Sequence, residues 1–150
     1  MDAAHRRSGS WTRPAPRGGT MTPDQLVDAM PFARALGVRI DTAGPGEVTG
    51  RLDWAPDRCT AGGVLHGGAL MALADTLGAA CAFLNLPDGA STTTLESKTN
   101  FFRGVKAGCV HGTSRPLHAG RTSIVVQTDL HDDTGRRVAQ VTQTQAVLRG

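Results

Sequence analysis

Two features of this 150-residue sequence could do chemistry. The first is Asp75, the one carboxylate within the apolar stretch Ala69 to Leu84. Burying a lone charge is costly unless it is paired or hydrogen-bonded, and desolvation would raise the pKa of an isolated carboxyl group there. Such a residue points to function; the plainer alternative is a structural Asp that caps a neighbouring helix or bonds Thr76 and a backbone amide. The second feature is Leu65-His66-Gly67-Gly68, at the start of the same stretch. The first turn of a helix offers unpaired N–H groups and the positive end of its dipole, and glycines let a ligand atom approach that backbone closely. This suits an oxyanion hole, which stabilises a carbonyl oxygen that gains negative charge in acyl transfer. The plainer alternative is a tight loop-to-helix turn.

Spacing keeps these features apart. From Gly67 to Asp75 a helix rises about 12 Å, too far for both groups to act on one carbon atom. Two antiparallel helices related by a two-fold axis can bring them together. The expectation is a homodimer with two composite sites, each using Gly68 of one chain and Asp75 of its partner. His66 could be an acid or base beside the glycines, but the expected role is positioning, its ring bonding the loop backbone.

Other chemistries find no support. The histidines His5, His66, His111, His118 and His131 show no HExxH or other metal spacing. Gly62 to Gly68 lacks the Lys-Ser/Thr ending of a phosphate-binding loop, and no GxSxG elbow is present. Cys59, Cys81 and Cys109 read as small core residues, scattered without a CxxC pair, as suits a reduced cytosolic chain.

The elements that must position Asp75 follow from periodicity. Thr22-Pro23-Asp24 starts a short helix over about 23–36 that breaks near Pro31 and stops at Gly37. Val38–Thr42 and Val48–Leu52 form a hairpin around Gly44-Pro45-Gly46, whose glycines would supply positive φ. A helix from Gly68 to about Leu84 follows. Alternating strands are expected over Thr92–Phe102, Cys109–Pro116, Ser123–Asp132 and Arg137–Leu148, with Asp133-Thr134-Gly135 as a tight turn. This is an α+β chain with an antiparallel sheet. The long helix has almost no polar face, so either the sheet wraps around it or two such helices pack side by side.

Length allows one domain, and charge excludes a class of partner. Sixteen Lys or Arg face thirteen Asp or Glu, but Arg6, Arg7, Arg13 and Arg17 against Asp2 place the whole +3 in residues 1–21. That basic arm is expected to be disordered, with one domain over 22–150. The body, twelve of each sign, offers no basic surface for nucleic acid. Residues 1–20 lack the apolar run of a signal peptide, and Ala69–Leu84, broken by Asp75, Thr76 and Gly78, is shorter than a bilayer needs. A soluble cytoplasmic protein is expected, with no membrane partner.

The run LHGGALMALADTLGAA, then TTTLESKTNFFRGVKAG, then HAGRTSIVVQTDLHDDTGRRVAQVTQT, resembles the PaaI-type acyl-CoA thioesterases of the hotdog-fold superfamily. The resemblance covers about Phe32 to Leu148 and rests on HGG joined to LAD at its fixed offset and to the FFR strand. It implies a long central helix wrapped by an antiparallel sheet, dimers with a continuous sheet, and pairing into tetramers. It implies hydrolysis of acyl-CoA, coenzyme A being part of the substrate, with no metal or bound redox cofactor. Asp75 would be nucleophile or general base, the backbone N–H of Gly67 or of the next residue, Gly68, would polarise the carbonyl, and Thr94 or Thr93 would position water. Many relatives have Asn or Gln six residues before the HGG histidine, where this chain has Thr60, a hydrogen-bonding side chain of shorter reach. Arg103, Lys106 and Gly120-Arg121 correspond to strand ends that contact the nucleotide half. Acyl-pocket walls would come from Met71, Leu77, Phe83, Phe101 and Phe102. Two alternatives are a hotdog enoyl-CoA hydratase or dehydratase with His66 as base, and a non-catalytic acyl-CoA-binding domain.

Overall fold

The structure, a computed structural model, describes residues 21–149, so the basic arm up to residue 20 lies outside the described residues. The first helical segment is two helices, α1 (Pro23–Asp28) and α2 (Pro31–Leu36), divided at Pro31. Thr22 caps α1 in a reciprocal capping box with Gln25, and Gly37 ends α2 in the left-handed region at φ 85°. Strands β1 (Arg39–Ala43) and β2 (Val48–Asp53) form the expected hairpin, closed by reciprocal backbone bonds between Gly44 and Glu47. Its glycines are not in the left-handed region. Pro45 holds the first loop position at negative φ, which excludes the primed turns that need positive φ there.

A 3-10 turn at Pro56–Arg58 leads to α3 (Gly67–Leu84), followed by β3 (Ser91–Phe101), β4 (Cys109–Ala119), β5 (Ser123–Asp132) and β6 (Arg137–Leu148). The six strands form one antiparallel sheet in the order β1-β2-β4-β5-β6-β3. β4 runs three residues past its expected end at Pro116, because Leu117 is an extra residue between Pro116 and His118 and pairing resumes beyond it.

Helix α3 crosses one face of the sheet and is keyed into it. Gly50 and Gly112 face each other on β2 and β4. A Cβ at Gly112 would lie 2.5 Å from Leu77 Cδ1, and one at Gly50 would lie 2.6 Å from Leu77 Cδ2. Leu77 therefore fills a notch that only paired glycines leave, and its complete burial is worth about 1.5–3 kcal/mol. It is a key between helix and sheet and cannot line an acyl pocket as expected.

The sheet covers only one side of α3. Gly68, Met71 and Asp75 are exposed and Ala72, Ala79 and Phe83 half-buried, a stripe at helical spacing, so within the single chain the sheet alone does not bury the helix all round. The sequence stretch expected to be too short for a bilayer forms an 18-residue helix of mean hydropathy 1.5, long and apolar enough by that measure to cross one. More than half of it is buried within the fold, so here it serves as the core helix. Beside the open stripe runs β3, an edge strand that is largely exposed.

Candidate functional site

Asp75 sits midway along α3, on its open stripe. The expectation that it is buried is wrong for the single chain as described, because no element among the described residues covers that side of the helix. The plainer alternative also fails, since Thr76 turns its hydroxyl to Ala72 O at 2.7 Å and Asp75 bonds no backbone amide among the described residues. Two donors hold one oxygen: Thr94 Oγ1 at 3.2 Å and Gln143 Nε2 at 3.1 Å both donate to Asp75 Oδ1. No donor among the described residues reaches Oδ2. One oxygen is anchored and the other is free for chemistry.

The anchor is itself supported. Gln145 Nε2 donates to Thr94 Oγ1 at 2.8 Å, so the single hydroxyl hydrogen of Thr94 is left to point at the carboxylate. Thr92 Oγ1 lies 3.2 Å from Gln145 Oε1 and donates to Ala146 O at 2.8 Å. Thr92 and Thr94 share a face of β3, whereas Thr93 points to the other, so Thr94 is the threonine brought to Asp75. Leu95 is the extra residue of a bulge between Thr94 and Glu96, a device that re-aims neighbouring side chains.

The amino end of α3 is built from the loop before it. Trp54 Nε1 donates to Gly63 O at 3.0 Å, Leu65 N to Val105 O at 2.8 Å and His66 N to Arg58 O at 2.9 Å, while Gly62 and Gly63 take φ of 83° and 72°. His66 is the N-cap, and its Nδ1 accepts the backbone N–H of Gly68 at 2.8 Å. The ring thus satisfies an amide of the helix rather than of the loop, and Nε2 carries the proton of the neutral imidazole. Ala69 N and Leu70 N bond His66 O. Gly67 N–H is then the first-turn amide with no partner among the described residues, so of the two glycines it is Gly67 that can receive an oxyanion. Phe101 lies against it: a Cβ at Gly67 would come within 3.2 Å of the ring. A shallow cleft of about 220 Å³ adjoins this helix end, walled by Phe32, Leu36, Arg58, Cys59, His66 and Ala69 among others. The Thr60 side chain is exposed and its hydroxyl has no partner among the described residues; only its backbone is engaged, with Val64 and Gly63.

The candidate cations do not gather in one chain. Arg103 donates to Arg137 O at 3.1 Å and its N–H to Val138 O, at the start of β6, with exposed Lys106 in the following loop. Gly120 and Arg121 form the β4–β5 turn, where Ser123 pairs with Ala146 at the far end of β6. From Val138 to Ala146 a strand spans about 27 Å.

Two of the three thiols, Cys81 and Cys109, are held in the protonated form that is a poor nucleophile. Burial pushes Cys81 up to about 11, and burial together with the neighbouring Asp53 carboxylate does the same for Cys109. No group of three or more metal-ligating side chains occurs among the described residues. What the sequence reading missed is the pair Gln143 and Gln145, both fully buried. A signal was present: they share strand parity with Val141 and Val147, so a face that turns those valines inward turns the glutamines inward too.

The Thioesterase superfamily model matches residues 62–139. The chain is 33% identical over 122 residues, 79% of its length and 87% of the other's, to Rv1847 of Mycobacterium tuberculosis, a protein that carries an esterase name. It resembles the structure of the thioesterase HI1161 from Haemophilus influenzae with a TM-score of 0.82 at 26% identity, covering 87% of this chain and 93% of that one. The structure of a point mutant of the phenylacetic acid degradation protein PaaI from Thermus thermophilus gives a TM-score of 0.73 at 28% identity, with coverage of 79% and 99%.

Proposed function

The chain belongs to the thioesterase superfamily, is a thioester hydrolase with the hotdog fold, and on that premise we propose that it hydrolyses acyl-CoA at sites shared between two protomers. The observation that carries the reading is Asp75 itself: Oδ1 fixed by Thr94 and Gln143, Oδ2 unengaged on an open helix face. In the reaction Oδ2 either attacks the thioester carbon, forming an acyl-aspartyl anhydride that water then hydrolyses to the free acid, or takes a proton from a water that attacks the carbon directly and passes that proton to the departing sulfur. The carbonyl oxygen gains negative charge against Gly67 N–H, the C–S bond breaks, and the sulfur leaves as the thiol of coenzyme A once protonated. Thr94, already donating to Asp75, retains acceptor capacity for a water hydrogen.

The second protomer enters because Gly67 and Asp75 stand about 12 Å apart on one helix. Gly68, Ala72 and Ala79 on the open stripe are small enough for a second α3 to approach closely, with Met71 an apolar contact beside them, and the free edge of β3 can extend the sheet. A two-fold arrangement would also set Arg103 and Lys106 of one protomer near Arg121 of the other, at the phosphates of the substrate. Pairing of such dimers into tetramers belongs to the same reading. Met71, Phe101 and Phe102 remain as acyl contacts. Three free cysteines fit a reducing compartment and hence a cytoplasmic protein. The hydratase alternative loses its base, since His66 Nδ1 is engaged with Gly68 N–H and Nε2 carries the proton.

The test is thiol release from a panel of acyl- and aryl-CoA thioesters by the wild type and Asp75→Asn. Turnover by the variant should fall at least ~100-fold with the fold intact, the size of effect expected for losing a general base. Unchanged turnover on a good substrate would refute the assignment.

A further inference from the structure

Gln143 is completely buried, yet among the described residues its Oε1 has no hydrogen-bond partner, and the one bond its side chain makes is from Nε2 to Asp75 Oδ1. A carboxylate can only accept, so the NH₂ end must be the one that faces it. As a core residue this is a poor choice: Met has nearly the same volume and would leave no orphaned acceptor. The helix has been shaped to admit it. A Cβ at Gly78, one turn after Asp75 on α3, would lie 2.5 Å from Gln143 Oε1 and 2.6 Å from its Cδ. The amide therefore crosses beneath the helix through a gap that glycine alone leaves, at the expense of helix propensity at an interior position.

We propose that Gln143 is a positioning residue for hydrolysis, reaching Asp75 through the Gly78 gap to pin Oδ1 and so aim Oδ2 at the substrate. The inference rests on Asp75 being the reacting carboxylate. Gln143 touches no substrate atom in this reading. Its counterpart is Thr94, which pins the same oxygen from β3 and is itself held by Gln145. Together they fix the carboxylate plane from two strands on opposite sides of one sheet pairing, β3 with β6.

The test compares Gln143→Met with Asp75→Asn, using the CoA thioester that the wild type hydrolyses best. For Gln143→Met the expected result is a melting temperature at or above that of the wild type, kcat ~10- to 100-fold lower, as for a lost bond to a charged group, and KM within about twofold. A purely structural role would lower the melting temperature and spare kcat. In a second series Gly78→Ala is made alone and with Gln143→Ala. Alone it should lower both stability and kcat; beside Gln143→Ala the added methyl should cost little further stability, because it occupies vacated space, while kcat stays low. This pair gives the same kinetic readout if Gln143→Met is too unstable to assay. Near-normal kcat in the Gln143 variants while Asp75→Asn is inactive would overturn this inference and leave the function standing. An active Asp75→Asn would overturn the functional reading itself.

Discussion

His66 Nδ1 accepts the backbone N–H of Gly68 at 2.8 Å, and this one bond assigns several roles. It makes the imidazole the N-cap of α3, it requires the neutral ring with its proton on Nε2, and it removes Gly68 N–H from the set of free donors. The amide left over is that of Gly67. A motif that reads as histidine plus two interchangeable glycines is thus a cap, a free donor and a capped amide.

Replacing His66 by Ala should therefore act as loss of a cap. Stability should fall by ~1 kcal/mol in urea unfolding, and His66→Asn, which supplies another capping side chain, should recover most of it. Thioester hydrolysis by His66→Ala should fall far less than in Asp75→Asn. Loss of all activity in His66→Ala, with the fold intact, would instead indicate proton transfer by the imidazole.

Most of the scaffold was legible in the sequence because alternation and turn residues are local signals. The split at Pro31, the left-handed stop at Gly37 and the strand bounds of β5 and β6 follow from a few neighbouring residues each. What was not legible depends on distant pairings. Gly50 opposite Gly112 becomes a seat for Leu77 only once β2 pairs with β4, so Leu77 looked like any apolar helix residue. Arg103 and Arg121, both expected at strand ends that contact the nucleotide half, lie at opposite ends of β6, a separation set by the antiparallel order and not visible in the sequence. Asp75 looked buried because its helix neighbours are apolar. Its exposure reflects a helix face that no element among the described residues covers.

The turn between β5 and β6 supplies a pH-dependent check on the fold. Asp132 Oδ1 accepts from Thr134 Oγ1, Thr134 N and Arg136 N, and these bonds, the Thr134 hydroxyl first, bring its carboxyl down from 3.8 to about 2. A depressed folded-state value means that the ionised form favours the native state. The stabilisation is therefore present above 3.8 and lost as pH falls towards about 2. Asp132→Ala should be less stable than the wild type at neutral pH by urea unfolding, with a gap that is constant across the neutral range and closes only on acidification. A gap that instead narrowed around neutrality would point to a different group.

The shared site makes the sharpest demand, because it predicts that two inactive proteins restore each other. Gly67→Pro removes the free N–H at the first helical position, where proline is well tolerated. His66, extended at φ −63° and ψ 136°, already has the backbone that a residue before proline needs. The neighbouring Phe101 ring is half exposed and can move aside. Alone, Gly67→Pro should fold and lose turnover, as should Asp75→Asn. When the two are unfolded together and refolded as a mixture, half of the dimers pair one of each. Each such dimer joins an intact Gly67 to an intact Asp75 at one site and leaves the other site doubly defective. The mixture should recover about a quarter of the wild-type rate. A site contained within one protomer would recover nothing, since no single chain in the mixture carries both groups.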